Sequence, residues 1–263
     1  MKSIKLKQLL SLFAAVGIAN TASAQNVEGP VIDITEFEII GSKESVFEIP
    51  GSGFYLAKEE INNFQYANID QILRQVPGVN FRGEDGYGLF PNISLRGVDS
   101  NRSGKVTMME DGVLTAPAPY AAPSAYYSPT AGRMSSLEVL KGSSQLQYGP
   151  HTTGGVINYI STPIPDEKSS YVKLQYGEND DARIHVWTGG EQESDAGTFG
   201  YLAEIYARTA GGFKTIDSTA AYEGSDDTGF DKTDTMVKFG WQPATTQFHS
   251  FEFKLGYTDF HAD

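Results

Sequence analysis

The sequence predicts an α+β domain followed by the first antiparallel strands of a transmembrane β-barrel, the whole led by an export signal. Three observations predict it. The N-terminus has a basic start, an apolar middle and a small-residue end. Residues 25 to about 165 mix short apolar runs, one helical stretch and many glycine turns. From about residue 169 onward, apolar and polar residues alternate with a period of two through five segments.

The signal comes first. Lys2, Lys5 and Lys7 precede an apolar run from Leu9 to Ala19, and Ala22-Ser23-Ala24 forms a cleavage site. That run is shorter than the ~20 residues a membrane helix needs. Residues 1–24 are therefore expected to leave on export, with Gln25 as the new terminus. Their three lysines lower the net charge from −13 to about −16. No later segment looks like a membrane helix, so entry into a membrane would have to be by strands.

In the α+β part, Ala67 to Val76 places Ile69, Ile72, Leu73 and Val76 at helical spacing, and Pro77-Gly78 ends the helix. Ser94–Arg96, Val106–Met109, Leu137–Leu140 and Val156–Ile160 read as short strands between glycine turns.

The alternating part is more regular. Val172, Leu174 and Tyr176 share one face, and Lys173 and Gln175 the other. Ile184 and Val186 oppose Arg183 and His185. Phe199, Tyr201, Ala203, Ile205 and Ala207 oppose Glu204 and Arg208. Val237, Phe239 and Trp241 oppose Asp234 and Lys238, while Phe251, Phe253, Leu255 and Tyr257 oppose Glu252 and Lys254. A half-buried soluble sandwich would show the same alternation. A barrel is favoured by strands of roughly 7–10 residues with aromatics near their ends. True charges on the polar face suit a wet lumen. A long Thr209–Thr233 connection and a tight Gln242–Gln247 turn match outer loops and periplasmic turns. Five strands cannot close, and an open edge cannot face lipid, so a barrel reading makes the chain an N-terminal fragment.

Composition removes several functions. Thirty-three acids against twenty bases disfavour nucleic-acid binding. Zero cysteines exclude disulfides, cysteine-ligated metals, thiol nucleophiles and a lipoprotein anchor. His151, His185, His249 and His261 are scattered without metal-binding spacing, so no metal site is expected. Gly83, Gly86 and Gly88 lack the strand-to-helix context of a phosphate cradle, and Asp111-Gly112 is explained as a turn. Neither an enzyme nor a cofactor is expected, and no catalytic residue is assigned.

Several segments together carry a family likeness. They are Asn68-Ile69-Asp70-Gln71-Ile72-Leu73-Arg74-Gln75-Val76-Pro77-Gly78-Val79, Asn92-Ile93-Ser94-Leu95-Arg96-Gly97, Glu110-Asp111-Gly112-Val113, Leu137-Glu138-Val139-Leu140-Lys141-Gly142, Tyr148-Gly149-Pro150 and Gly154-Gly155-Val156-Ile157-Asn158. In this order and spacing, residues 34–165 resemble the plug domain of TonB-dependent outer-membrane receptors. The resemblance implies a plug at 42–165 inside a large barrel of about 22 strands. Residues 169–263 would supply the first five or so.

Upstream, Asp33 to Gly41 resembles a TonB box and its extension, with Ile34, Thr35, Glu36 and Phe37 as the box within residues 25–41. An extended segment of this kind adds as a strand to a partner's sheet edge, here a TonB-type energy-coupling protein. The first strand of the plug is the other reading of the same residues. Only about nine residues precede it after Gln25, which leaves no room for an N-terminal signalling domain. The resemblance also implies that Arg96 and Lys141 pair with barrel glutamates beyond residue 263 and lock the plug. A lysine there lacks the bidentate fork of arginine.

The run Pro91–Gly97 through Ala118-Pro119-Tyr120-Ala121-Ala122-Pro123 looks most like the ferric citrate receptors. That implies a ligand-binding apex with Asn101, Arg102, Ser103, Lys105 and Tyr120 as candidates, since charge-assisted bonds dominate carboxylate recognition. A solvated basic turn explains Arg102 and Lys105 equally well. Ala122 stands where the resemblance has glutamine. The expectation is active import of a ferric chelate across the outer membrane, with lipid around the barrel and iron as cargo. Other siderophores, cobalamin or an oligosaccharide are alternative cargoes. A passive barrel would not need the box, and a secreted sandwich enzyme would be soluble.

Overall fold

The structure is a computed structural model, and it describes residues 38–83, 87–115, 127, 129–149, 152–213, 229–245 and 250–262. The expected signal peptide and TonB box, Ile34 to Phe37, lie outside the described residues, as does Tyr120.

The α+β domain is built on a five-stranded sheet in the order β1 (Ser52–Leu56), β6 (Met134–Lys141), β7 (Gly155–Ser161), β4 (Val106–Glu110), β5 (Val113–Leu114). Only β4 and β7 run parallel. A separate hairpin pairs β2 (Val79–Gly83) with β3 (Pro91–Leu95). Every residue of β6 and β7 is buried, so both faces of these strands are covered. Two short helices, α1 (Lys58–Phe64) and α2 (Ile69–Leu73), supply Ile61, Ile69, Ile72 and Leu73 to the main core against Ile93, Val139 and Ile157.

The helix expected over Ala67–Val76 is shorter than its apolar pattern. It begins at Ile69, where Gln71 Oε1 accepts the amide of Asn68 at 3.3 Å, and Gly78 with φ +80 turns the chain after it. The strand expected at Ser94–Arg96 is Pro91–Leu95 instead. Arg96 lies past its end with φ +55, donating its amide to Gly78 O at 2.8 Å.

The second sheet is an antiparallel meander of β8 (Ser169–Tyr176), β9 (Ala182–Ser194), β10 (Gly197–Ala210), β11 (Phe230–Pro243) and β12 (Phe251–Ala262). All five expected strands are present, but β9 to β12 run 12–14 residues rather than 7–10. The faces fall as the alternation predicts. Leu202, Glu204, Tyr206 and Arg208 are buried towards the α+β domain, while Phe199, Tyr201, Phe239, Trp241, Phe253, Leu255 and Tyr257 face outward and are exposed. Across the strands Phe199, Trp241 and Phe251 are register neighbours, and their rings stack at 6.1 and 5.8 Å. Charge thus lies on the covered face and apolar surface on the exposed one, the reverse of a soluble sandwich.

Candidate functional site

The inner face of this wall and the α+β domain meet through buried charge. Arg133 ends a short 3-10 turn, Ala131–Arg133, that leads into β6. Its neighbour Gly132 packs against the wall so closely that a Cβ there would fall 2.1 Å from the Tyr206 ring. That approach delivers the Arg133 guanidinium, 3% exposed, between both layers. Nε donates to Asp234 on β11 at 2.8 Å, and Nη1 donates to Glu110 at the end of β4 at 2.8 Å. Nη2 donates to the Tyr127 hydroxyl at 2.6 Å, and that hydroxyl donates to the other Glu110 oxygen at 2.7 Å.

Lys254 of β12 reaches the same place from the wall. Its ammonium donates to Glu110 and Asp111 at 2.5 Å each. Asp111 is further held by the Ser161 amide and hydroxyl at 2.8 and 2.6 Å, and Lys238 of β11 lies 3.7 Å away. Burial alone would raise the Glu110 carboxyl, but the charges of Arg133 and Lys254 outweigh it and hold it at about 2. Asp111 is likewise lowered: burial opposes its ionisation, and Lys238 and Lys254 overcome that. Desolvation pushes the Tyr127 hydroxyl well up, so it acts as a neutral donor.

Two further contacts flank this cluster. Glu204 of β10 accepts from Thr162 of the domain at 2.5 Å and faces His185 Nε2 at 2.7 Å. Arg208 of β10 grips Asp181 through two bonds of 3.0 and 2.7 Å, bonds Asn68 at the start of α2 and lies over the Tyr87 and Phe230 rings. Between domain and wall opens a cavity of about 840 Å³. Its lining combines Leu89, Phe90, Val113 and Phe260 with Glu110, Arg133, Lys232 and Lys254. Such a volume lies in the range of small-molecule pockets. No cluster suited to a metal occurs among the described residues.

The residues singled out from the sequence lie elsewhere. Asn101 to Ser103 form a 3-10 turn folded back on the start of β3. Asn101, Arg102 and Lys105 are exposed, and none of them lines the cavity. Ser103 corrects its expected role. It is fully buried, its hydroxyl accepts the Ile93 amide and donates to Pro91 O, both at 2.9 Å, and no surface is left for a ligand. Arg96 and Lys141 are neighbours at one end of the sheet, but Arg96 is exposed in a turn rather than held inside a strand. Lys141 is 6% exposed and donates to Pro77 O at 3.0 Å, and burial followed by the Arg96 charge lowers its ammonium. Neither has a carboxylate in ion-pairing range among the described residues. Sequence reasoning missed Arg133, Glu110, Asp111 and Asn68 as contact residues. The one legible signal was the charges on the inner face of the wall, which needed partners from somewhere.

An α+β domain ion-paired to the charged face of an amphipathic antiparallel wall defines a plug-and-barrel class. Residues 45–156 match the TonB-dependent Receptor Plug Domain family model. Among curated proteins, the vitamin B12 transporter BtuB of Vibrio vulnificus (strain CMCP6) is 27% identical over 176 residues. That match takes in 67% of this chain but only 27% of the relative's length. Among solved structures, the unliganded ferric citrate transporter FecA superposes with a TM-score of 0.56 at 19% identity, covering 87% of this chain and 42% of that one. The ferric yersiniabactin uptake receptor FyuA of Yersinia pestis gives 0.63 at 22%, covering 80% and 32%. These likenesses show the fold, a plug followed by antiparallel barrel strands.

Proposed function

We propose that this chain is the plug and early wall of an outer-membrane importer driven by a TonB-type periplasmic partner. The observation that carries the reading is the buried seam of Arg133, Glu110, Asp111, Asp234 and Lys254. A passive pore has no use for a separate domain ion-paired inside its wall. A gated one does, because the plug must be held shut and still be movable. In this reading the protein resides in the outer membrane after signal cleavage, with lipid against Phe239, Leu255 and their outward neighbours. Ile34, Thr35, Glu36 and Phe37 form the box that the partner grips. Arg96 and Lys141 complete the lock against wall carboxylates outside this chain. No reaction is catalysed. Work done on the box shifts the plug and opens a path for cargo.

The cargo is proposed to be a ferric carboxylate chelate such as ferric citrate, which rests on the Pro91–Gly97 and Ala118–Pro123 likeness. Asn101, Arg102, Lys105 and Tyr120 remain its candidate ligands. The exposure of the first three leaves them available for charge-assisted bonds. Cobalamin is the second reading, favoured by the vitamin B12 transporters among the relatives.

The test is uptake of labelled ferric citrate and of labelled cobalamin by cells lacking other receptors. The full-length protein would be compared with its Ile34→Pro variant, since proline removes an amide needed for strand addition. Uptake of one cargo that Ile34→Pro abolishes is expected. Uptake that Ile34→Pro leaves unchanged would instead indicate a passive barrel.

A further inference from the structure

Glu138 belongs to the Leu137–Gly142 motif, yet neither the seam nor the expected lock uses it. It is fully buried at the centre of β6, where a carboxylate is costly unless its oxygens are met by donors. Those donors come from the N-terminal segment. Its Oε1 accepts the amides of Ile39, Ile40 and Gly41 at 3.0, 2.7 and 2.9 Å, and Oε2 accepts the Ile39 amide at 2.9 Å. Three successive amides converge on one carboxylate, and Gly41, with φ +75, turns the chain away just after them. The Ile40 side chain, 6% exposed, enters a second core with Met109, Leu140 and Val156. Glu38 accepts from the Ser136 hydroxyl at 3.2 Å.

On its far side Glu138 faces Asn158, its register partner on β7, whose Nδ2 donates to Oε2 at 2.9 Å. Asn158 Oδ1 in turn accepts the Gly112 amide at 3.0 Å, and the residue before Gly112 is Asp111, which binds Lys254 of the wall. A short run of polar contacts therefore joins residues 39–41 to the plug–wall seam.

We infer that Glu138 is a clasp that holds the segment just after the box on the central sheet of the plug, so that a pull on the box loads β6 and the seam instead of drawing out a slack tether. Glu138 is a positioning residue: it touches neither cargo nor partner. The inference rests on the importer reading for the source of the pull, while the clasp itself is a property of the plug. Release of the segment strips three amide donors from a buried carboxylate, which is costly because its charge is then left short of partners. The clasp thus resists the pull.

The test uses the full-length protein and its Glu138→Gln variant, with hydrogen exchange followed by mass spectrometry. Glutamine keeps the size but sets an NH₂ against backbone donors. Exchange in the peptide covering residues 38–42 is expected to rise at least tenfold, with the peptide over α2 unchanged. Glu138→Asp keeps the charge and shortens the reach, so it should give a smaller rise and serves should Glu138→Gln fail to fold. Cargo uptake should fall at least tenfold while cargo binding to whole cells stays unchanged. No rise at residues 38–42, or an equal rise at α2, overturns the clasp. A selective rise with undiminished uptake overturns its coupling role. Should the unmodified protein import neither cargo, the importer reading fails, and the exchange measurement still decides the clasp.

Discussion

Arg133 has only 3% of its surface open to water and is hydrogen-bonded to two carboxylates and a phenol. Such a group is weak evidence of stability, because desolvation cancels much of the attraction. Its removal is another matter. Arg133→Ala leaves Asp234, 1% exposed, without the guanidinium, and leaves Glu110 with the Lys254 ammonium and the Tyr127 hydroxyl. The expected loss is about 3–5 kcal/mol for breaking a buried pair. The denaturation midpoint of the plug in the folded full-length protein would measure it. Nothing near Arg133 in the sequence announced this. Its partners Glu110 and Asp234 are 23 and 101 residues away, so no local spacing encodes the contact. Ser103 erred in the opposite direction. A serine beside an arginine in a polar turn reads as exposed, but its short hydroxyl reaches back to Pro91 and Ile93 and buries itself.

At the scale of elements, legibility followed the strength of the period. The wall strands were readable because each carries one mainly apolar face and one face with charges, and a period of two allows no other placement. Their lengths were underestimated, because alternation breaks within strands at places such as Gly189-Gly190 while backbone pairing continues. In the plug, β1, β2 and α1 were unread. Helix α1 buries only Ile61, and β2 buries no residue fully, so neither presents a periodic face. The outward face makes its own prediction. Val237 lies mid-strand in β11, between Ala203 and Leu255 in register, and points away from the plug. Val237→Lys should cost about 2–4 kcal/mol in lipid, as a lysine does near the middle of a barrel wall. Val237→Thr should cost far less. Urea unfolding of the full-length protein in vesicles separates the two.

For the molecule as a whole, the seam makes plug attachment depend on acid. Glu110 is held at about 2 against an ordinary 4.5, because Arg133 and Lys254 favour its charged form more than burial disfavours it. A carboxyl lowered on folding contributes stability that is complete above its unfolded value and is lost as pH falls towards the folded one. The window is therefore about 4.5 down to about 2, and the contribution is of order 3 kcal/mol by linkage. Asp111 is lowered by the neighbouring Lys238 and Lys254 and adds in the same direction. Protonation strips both carboxylates from Lys254 and one from Arg133, so the plug–wall contact should loosen before the wall unzips. The backbone ladders of the wall contain no titratable group, so protonation removes none of their hydrogen bonds directly. Hydrogen exchange across this range should show amides of β4 and β7 losing protection while those of β10 and β11 keep theirs. Glu110→Gln supplies the control. It should weaken the contact at neutral pH and flatten the acid response, since glutamine has no proton to gain. Equal loss of protection in plug and wall would mean that acid unfolds the molecule as one unit and that the seam sets no order of events.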